Sequence, residues 1–185
     1  MDSQLENELI EKAKESLDAF EKLYEYYLPK IYRYILNRTA NKDLAEDLTS
    51  QTFVKAMTKI KTYKDHGKSF GSWLYRIAHN NLIDHFRKNK PTAIFDINLI
   101  ESEAAAEDHA MDSERKRAIL HAISKIPEQY QEIISLKFFE ELSNDEIADV
   151  IGTNKTNIAV KIHRSMKSLE KVLSKKEFKG IIDLE

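Results

Sequence analysis

The residues of this chain best suited to chemistry are cations and amides arrayed along helices, and the chemistry they suit is recognition of nucleic acid. Cysteine is absent, which removes disulfides, thiolate zinc sites and thiol catalysis together and suits a reducing compartment. The six His are scattered without paired metal-ligand spacing, no Gly-rich phosphate loop occurs, and the carboxylates form no arrangement specific to acid–base catalysis. No catalytic residue, metal or cofactor is therefore expected. Residues 142–169, LSNDEIADVIGTNKTNIAVKIHRSMKSL, instead read as a helix, a Gly-containing turn and a second helix with a basic face.

The elements that position this face are marked by local signals. Ser143 precedes Glu146 at capping-box spacing, so each side chain can satisfy an orphan backbone N–H at a helix start. Ile147, Ala148, Val150 and Ile151 give the helix one apolar side, and Gly152 can end it in a left-handed conformation. Asn154 can cap a second helix in which Ile158, Ile162, Met166 and Leu169 recur at helical spacing. Lys155, Lys161, Arg164, Lys167 and Lys171 mostly lie elsewhere around its circumference. In a helix-turn-helix the start of the second helix reaches base edges while later cations meet phosphates. An ordinary helical hairpin with a solvated basic face is the alternative that this segment alone leaves open.

The net charge of −2 conceals strong segregation. From Lys68 to Lys90 the cations Lys68, Arg76, Arg87, Lys88 and Lys90 face only Asp84, and from Lys155 to Lys176 seven Lys or Arg face only Glu170. Between these blocks, residues 91–114 carry Asp96, Glu101, Glu103, Glu107, Asp108, Asp112 and Glu114 with no Lys or Arg. Local field governs association with nucleic acid, so two basic surfaces joined by an acidic segment are compatible with a DNA-binding protein. The N-terminus lacks the basic start and apolar core of a signal peptide, and no apolar run approaches membrane-spanning length. The chain reads as cytoplasmic, without membrane insertion.

Pro91 and the stretch ESEAAAEDHAMDSE place a linker at 91–112. Upstream, apolar residues recur at helical spacing in three regions: Leu17, Phe20, Leu23, Tyr24, Tyr27, Ile31, Tyr34 and Ile35; Leu44, Leu48, Phe53, Met57 and Ile60; and Phe70, Trp73, Leu74, Ile77, Ala78, Leu82 and Phe86. Pro29 is expected to break or kink the first of these. Downstream, Ile119, Ala122, Ile123 and Ile126 lead to Pro127, and Ile133, Ile134, Leu136 and Phe138 precede the helix-turn-helix. With no sustained period-two alternation, the expectation is an all-α chain of two small helical domains, 17–90 and 113–173, joined by the acidic linker, the second domain containing the helix-turn-helix.

In order and spacing, residues 17–173 resemble bacterial RNA polymerase sigma factors of the extracytoplasmic-function (ECF) group, in the sigma-70 family, which retain regions 2 and 4. DLAEDLTSQTFVKA at 43–56 resembles region 2.2, which docks on the polymerase clamp. SFGSWLYRIAHNNLIDHFRKNK at 69–90 resembles regions 2.3 and 2.4, which open and read the −10 element, and residues 122–169 resemble region 4, which reads the −35 element. The resemblance implies a sigma factor that binds core RNA polymerase and directs promoter-specific initiation through −10 strand capture and −35 duplex recognition. Its implied partners are core polymerase, promoter DNA and an anti-sigma factor. Two readings compete with it: a helix-turn-helix regulator that is not a polymerase subunit, and a sigma-like decoy for an anti-sigma protein.

Residue by residue, the resemblance assigns Asp43, Glu46, Asp47, Gln51 and Lys55 to polymerase, although family members usually carry Gln-Glu where this chain has Ser50 and Gln51. From the residues alone, the acidic first turn equally suits helix-end electrostatics. Lys68, Phe70, Trp73, Arg76, Asn80, Asn81, Arg87 and Lys88 fall to the −10 strand, with Asn80 at the pocket for an extruded base and Arg87 and Lys88 on phosphate. Trp73 also fits an apolar core pattern with Leu74 and Ile77. Lys155, Thr156, Asn157, Ala159, Val160, Lys161, Arg164 and Lys167 fall to the −35 element: Asn157 and Lys161 as polar readers, Val160 as a thymine-methyl contact, Arg164 and Lys167 on phosphate. Ala159 and Val160 replace a commonly cationic residue and a hydroxyl, so the promoter sequence does not transfer from better-known members. The linker reads either as a negative strand threading a polymerase channel or as a solvated connector. The tail after Ser174 carries Phe178, Ile181, Ile182 and Leu184, which could dock or fray.

Overall fold

The computed structural model describes residues 3–64, 69–89, 110–175 and 178. Among them every regular element is helical: α1 (Ser3–Ala13), α2 (Leu17–Thr39), α3 (Lys42–Lys59) with a short 3-10 turn (Ile60–Thr62), α4 (Phe70–Lys88), α5 (Ala110–Ser124), α6 (Glu128–Ile134) with a π turn (Ser135–Phe139), α7 (Asn144–Ile151) and α8 (Lys155–Leu173). Most of the acidic linker and Lys68 lie outside the described residues.

Helices α1 to α4 share one core, in which Leu23, Tyr27, Ile31, Tyr34 and Ile35 of α2 meet Ala45, Leu48 and Phe53 of α3 and Leu74, Ala78 and Leu82 of α4. Helix α2 runs unbroken past Pro29, contrary to the break expected there; a kink is the other half of that expectation. Proline removes one backbone donor, but α2 packs core residues on both sides of it, and tertiary burial supports most helices more than any single hydrogen bond does. The helix ends at Ala40, in a left-handed conformation whose N–H returns to the Leu36 carbonyl at 2.8 Å. Asn41 then caps α3 by accepting from the Leu44 N–H at 3.0 Å.

The C-terminal helices divide their apolar residues between two clusters. Ala118, Leu120, Ala122, Ile123, Ile126 and Ile134 pack with Leu169, Val172 and Phe178, so the tail docks at least through Phe178, which is 2% exposed and lies beside the His121 ring. Ile133, Leu136, Leu142, Ile147, Ala148, Val150 and Ile158 instead join the core of the N-terminal helices. Ile119, Phe138, Met57 and Met166, expected on packed faces, are substantially exposed.

Candidate nucleic-acid interface

The helix-turn-helix forms as its local signals dictate. The Ser143 hydroxyl accepts from the Glu146 N–H at 3.3 Å, and the Glu146 carboxylate accepts from the Ser143 N–H at 2.9 Å, a reciprocal cap. Gly152 ends α7 at φ 76°, a conformation in which a Cβ is strained, and the Thr153 N–H returns to the Ala148 carbonyl at 2.8 Å. Asn154 starts α8 by accepting from the Asn157 N–H at 2.8 Å. Ile158, Ser165, Leu169 and Val172 point α8 inward. That leaves Lys155, Thr156, Asn157, Ala159, Val160, Arg164 and Lys167 exposed and Lys161 half-buried on a surface free of carboxylates until Glu170, except that Lys155 pairs with Asp145 of α7 at 2.6 Å. The segment thus supplies amide, methyl and cationic groups on one rigid helix, the set needed to read bases and hold phosphates.

On α3, burial of Ala45, Leu48, Thr52, Phe53 and Ala56 turns Asp43, Glu46, Asp47 and Gln51 to solvent. Gln51 donates to Asp47 at 2.8 Å, fixing part of this acidic strip. Beside it runs an open apolar groove of about 810 Å³, lined by residues including Leu17, Phe20, Tyr24, Phe53, Val54 and Met57, with Asp18, Glu21 and Glu46 also on its wall. Sequence reasoning missed this groove; its one legible trace is that Leu17, Val54 and Met57 are apolar residues at the margins of their helical stripes.

Helix α4 sorts the −10 candidates. Asn80, Arg87 and Lys88 are exposed, with Arg87 near Asp84 at 3.1 Å. Trp73 is half-buried against the rings of Phe70 and Tyr63, at centroid distances of 5.2 and 5.1 Å, so it serves packing while remaining partly exposed. Phe70 is 2% exposed and Asn81 3% exposed. The Asn81 amide donates to the Thr52 hydroxyl at 2.9 Å and its oxygen accepts from Lys55, so Asn81 turns inward to join α4 to α3, while Lys55 reaches it from an exposed position on α3. Arg76 reaches Asp149 of α7 at 3.0 Å. Among the described residues no group of His, Cys, Asp or Glu is arranged to hold a metal, and no helix is long and apolar enough to cross a membrane.

Family models for sigma-70 region 2 and sigma-70 region 4 match residues 23–92 and 116–169. The ECF RNA polymerase sigma factor SigW of Bacillus subtilis is 30% identical over 185 residues, covering 94% of this chain and 98% of the relative. The chain belongs to the sigma-70 family. It is an ECF sigma factor, and such factors direct transcription initiation. The ECF sigma factor BldN of Streptomyces coelicolor is 37% identical over 173 residues, which cover 90% of this sigma factor but 65% of that longer relative. The fold is also that of RpoE from Bartonella quintana, solved in complex with the anti-sigma factor NepR, at TM-score 0.64 and 18% identity, covering 85% of this sigma factor and 98% of that chain.

Proposed function

We propose that this sigma factor recruits core RNA polymerase to promoters through three separate surfaces. Residues 17–90 bind polymerase and the −10 strand, residues 91–112 connect, and residues 113–173 bind the −35 duplex. Asp43, Glu46, Asp47 and Gln51 form the polymerase contact, and the apolar groove that shares Glu46 extends it. Exposed carboxylates flanking an apolar groove suit a partner helix with apolar anchors and cationic flanks.

For the −10 strand, Asn80, Arg87, Lys88 and the partly exposed Trp73 are the contacting groups, while Phe70, Asn81 and Lys55 hold α4 in place. For the −35 element, Thr156, Asn157, Val160 and Lys161 read bases, and Lys155, Arg164 and Lys167 bind phosphate; Ala159 leaves room for close approach. The exposed, cation-bearing start of α8 behind a fixed turn is the observation that carries this reading. The protein acts in the cytoplasm, where polymerase is, with polymerase supplying the catalysis and an anti-sigma factor as a further partner.

The test is to select active promoters from a randomised library with core polymerase and this protein. Two separated conserved blocks are expected, and Asn157→Ala should alter only the upstream one. A single block, or a change in the downstream one, overturns the assignment.

A further inference from the structure

Asn157 is the one amide side chain among the residues assigned above to the −35 duplex, and it is held from outside the helix that carries it. Its Nδ2 donates to the Thr153 hydroxyl at 3.4 Å, across the turn between α7 and α8. Its backbone N–H donates to Asn154 Oδ1 at 2.8 Å, and the next residue, Ile158, is fully buried. Thr153 is fixed in turn, because its N–H donates to the carbonyl of buried Ala148 at 2.8 Å, the bond that closes α7 around Gly152. A line of hydrogen bonds therefore runs from the packed side of α7, through half-buried Thr153, to an exposed amide at the start of α8.

An asparagine amide offers an acceptor oxygen on one side and two donor hydrogens on the other, and a half-turn about its last torsion exchanges them. Unrestrained, it can meet guanine, whose O6 and N7 both accept, with its NH2, or adenine, which sets the N6 donor beside the N7 acceptor, with both of its groups. With one N–H committed to Thr153, Asn157 keeps one donor beside one acceptor. That pair matches adenine; against guanine it sets Oδ1 facing O6, two acceptors with no proton between them. We propose that Thr153 is a specificity-determining positioning residue: by holding the Asn157 amide in one orientation, it makes adenine the preferred base at one position of the −35 element. The proposal rests on the −35 role of α8 and adds to it the base chosen and the residue that enforces the choice.

The test uses the full chain with core polymerase on library-selected promoters. Asn157→Ala marks the base, as the upstream position whose preference it removes. Each of the four bases is then placed there, and initiation is compared for the native chain, Thr153→Val and Thr153→Ser. The native chain should favour adenine over guanine at least about tenfold, within the range of one bidentate contact. Thr153→Val keeps the branched shape and loses the hydroxyl, so the ratio should fall below about threefold while preferences at other positions and affinity for non-specific duplex are unchanged. Thr153→Ser should restore it. If Thr153→Val loses helicity, Thr153→Ala is read against the same criterion. A preference for any other base at the marked position, a ratio that survives loss of the hydroxyl, an equal loss at every position, or no recovery with Thr153→Ser overturns the proposal. If Asn157→Ala removes no upstream preference, the −35 role of α8 fails and the proposal with it; a marked position indifferent to Thr153 overturns the positioning alone.

Discussion

His79 Nδ1 lies 2.8 Å from Glu132 Oε1, bringing α4 and α6 together across the junction between the N- and C-terminal helices. The same carboxylate accepts from the Tyr34 hydroxyl at 3.2 Å, and Arg38 stands close enough to act on it by charge. Burial pushes the Glu132 carboxyl up, but the His79 hydrogen bond, the Arg38 charge and the Tyr34 hydroxyl outweigh it and bring it down to about 2.

This relationship gives stability a direction with pH. A carboxyl depressed in the folded chain contributes stability that is fully present above its ordinary value of 4.5 and lost as pH falls toward about 2. Thermal unfolding of the native chain and Glu132→Gln should therefore differ most at neutral pH and converge across that acid window. A constant gap from neutral pH to pH 2 would contradict the ionised pairing.

The polymerase face predicts a separable defect. Asp47→Arg reverses an exposed charge on α3, away from the core residues of that helix, so unfolding should be unchanged within about 0.5 kcal/mol. Association with core polymerase, measured by fluorescence anisotropy, should weaken at least about tenfold, a cost of about 1.4 kcal/mol. Duplex binding by α8 should be unaffected.

The −35 face predicts two kinds of loss. Lys161→Ala should cost about 1–3 kcal/mol on the selected promoter and relax choice at one base position. Arg164→Ala should weaken binding to all duplexes alike and reduce the salt slope by about 1. Titrations at several salt concentrations distinguish the two patterns.

The turn itself is testable by stability. Ser143→Ala removes the hydroxyl half of the cap and should cost about 1 kcal/mol. Gly152→Ala meets no neighbouring atom within 4 Å yet imposes φ 76° on a residue with a Cβ, so a penalty of about 1 kcal/mol arises from backbone alone. Denaturant titration of each variant measures both.

How much of this was legible in the sequence depends on the range of the interaction. Ser143, Glu146, Gly152 and Asn154 act on backbone within a few residues, so the order of residues suffices to place both helices of the helix-turn-helix. Asn80 and Asn81 are adjacent and chemically alike, yet one is exposed and the other bonded to Thr52 and Lys55; which amide turns inward depends on where α3 lies against α4. Phe70 is similarly indistinct from a base-stacking ring until its neighbours Tyr27, Tyr63 and Trp73 are in place. The carboxylates Glu128, Glu132, Glu140, Glu146 and Asp149 are spread along the sequence among Lys and apolar residues, and only packing gathers them against α2 and α4.

The central claim is tested most directly by transcription from a library-selected promoter with core polymerase, in the presence and absence of this protein, while thymine reactivity is mapped on both strands. Initiation at one defined start, with unpaired thymines near −10 that depend on the protein, is the predicted result. Protection of duplex DNA with no strand opening and no promoter-specific RNA would contradict it.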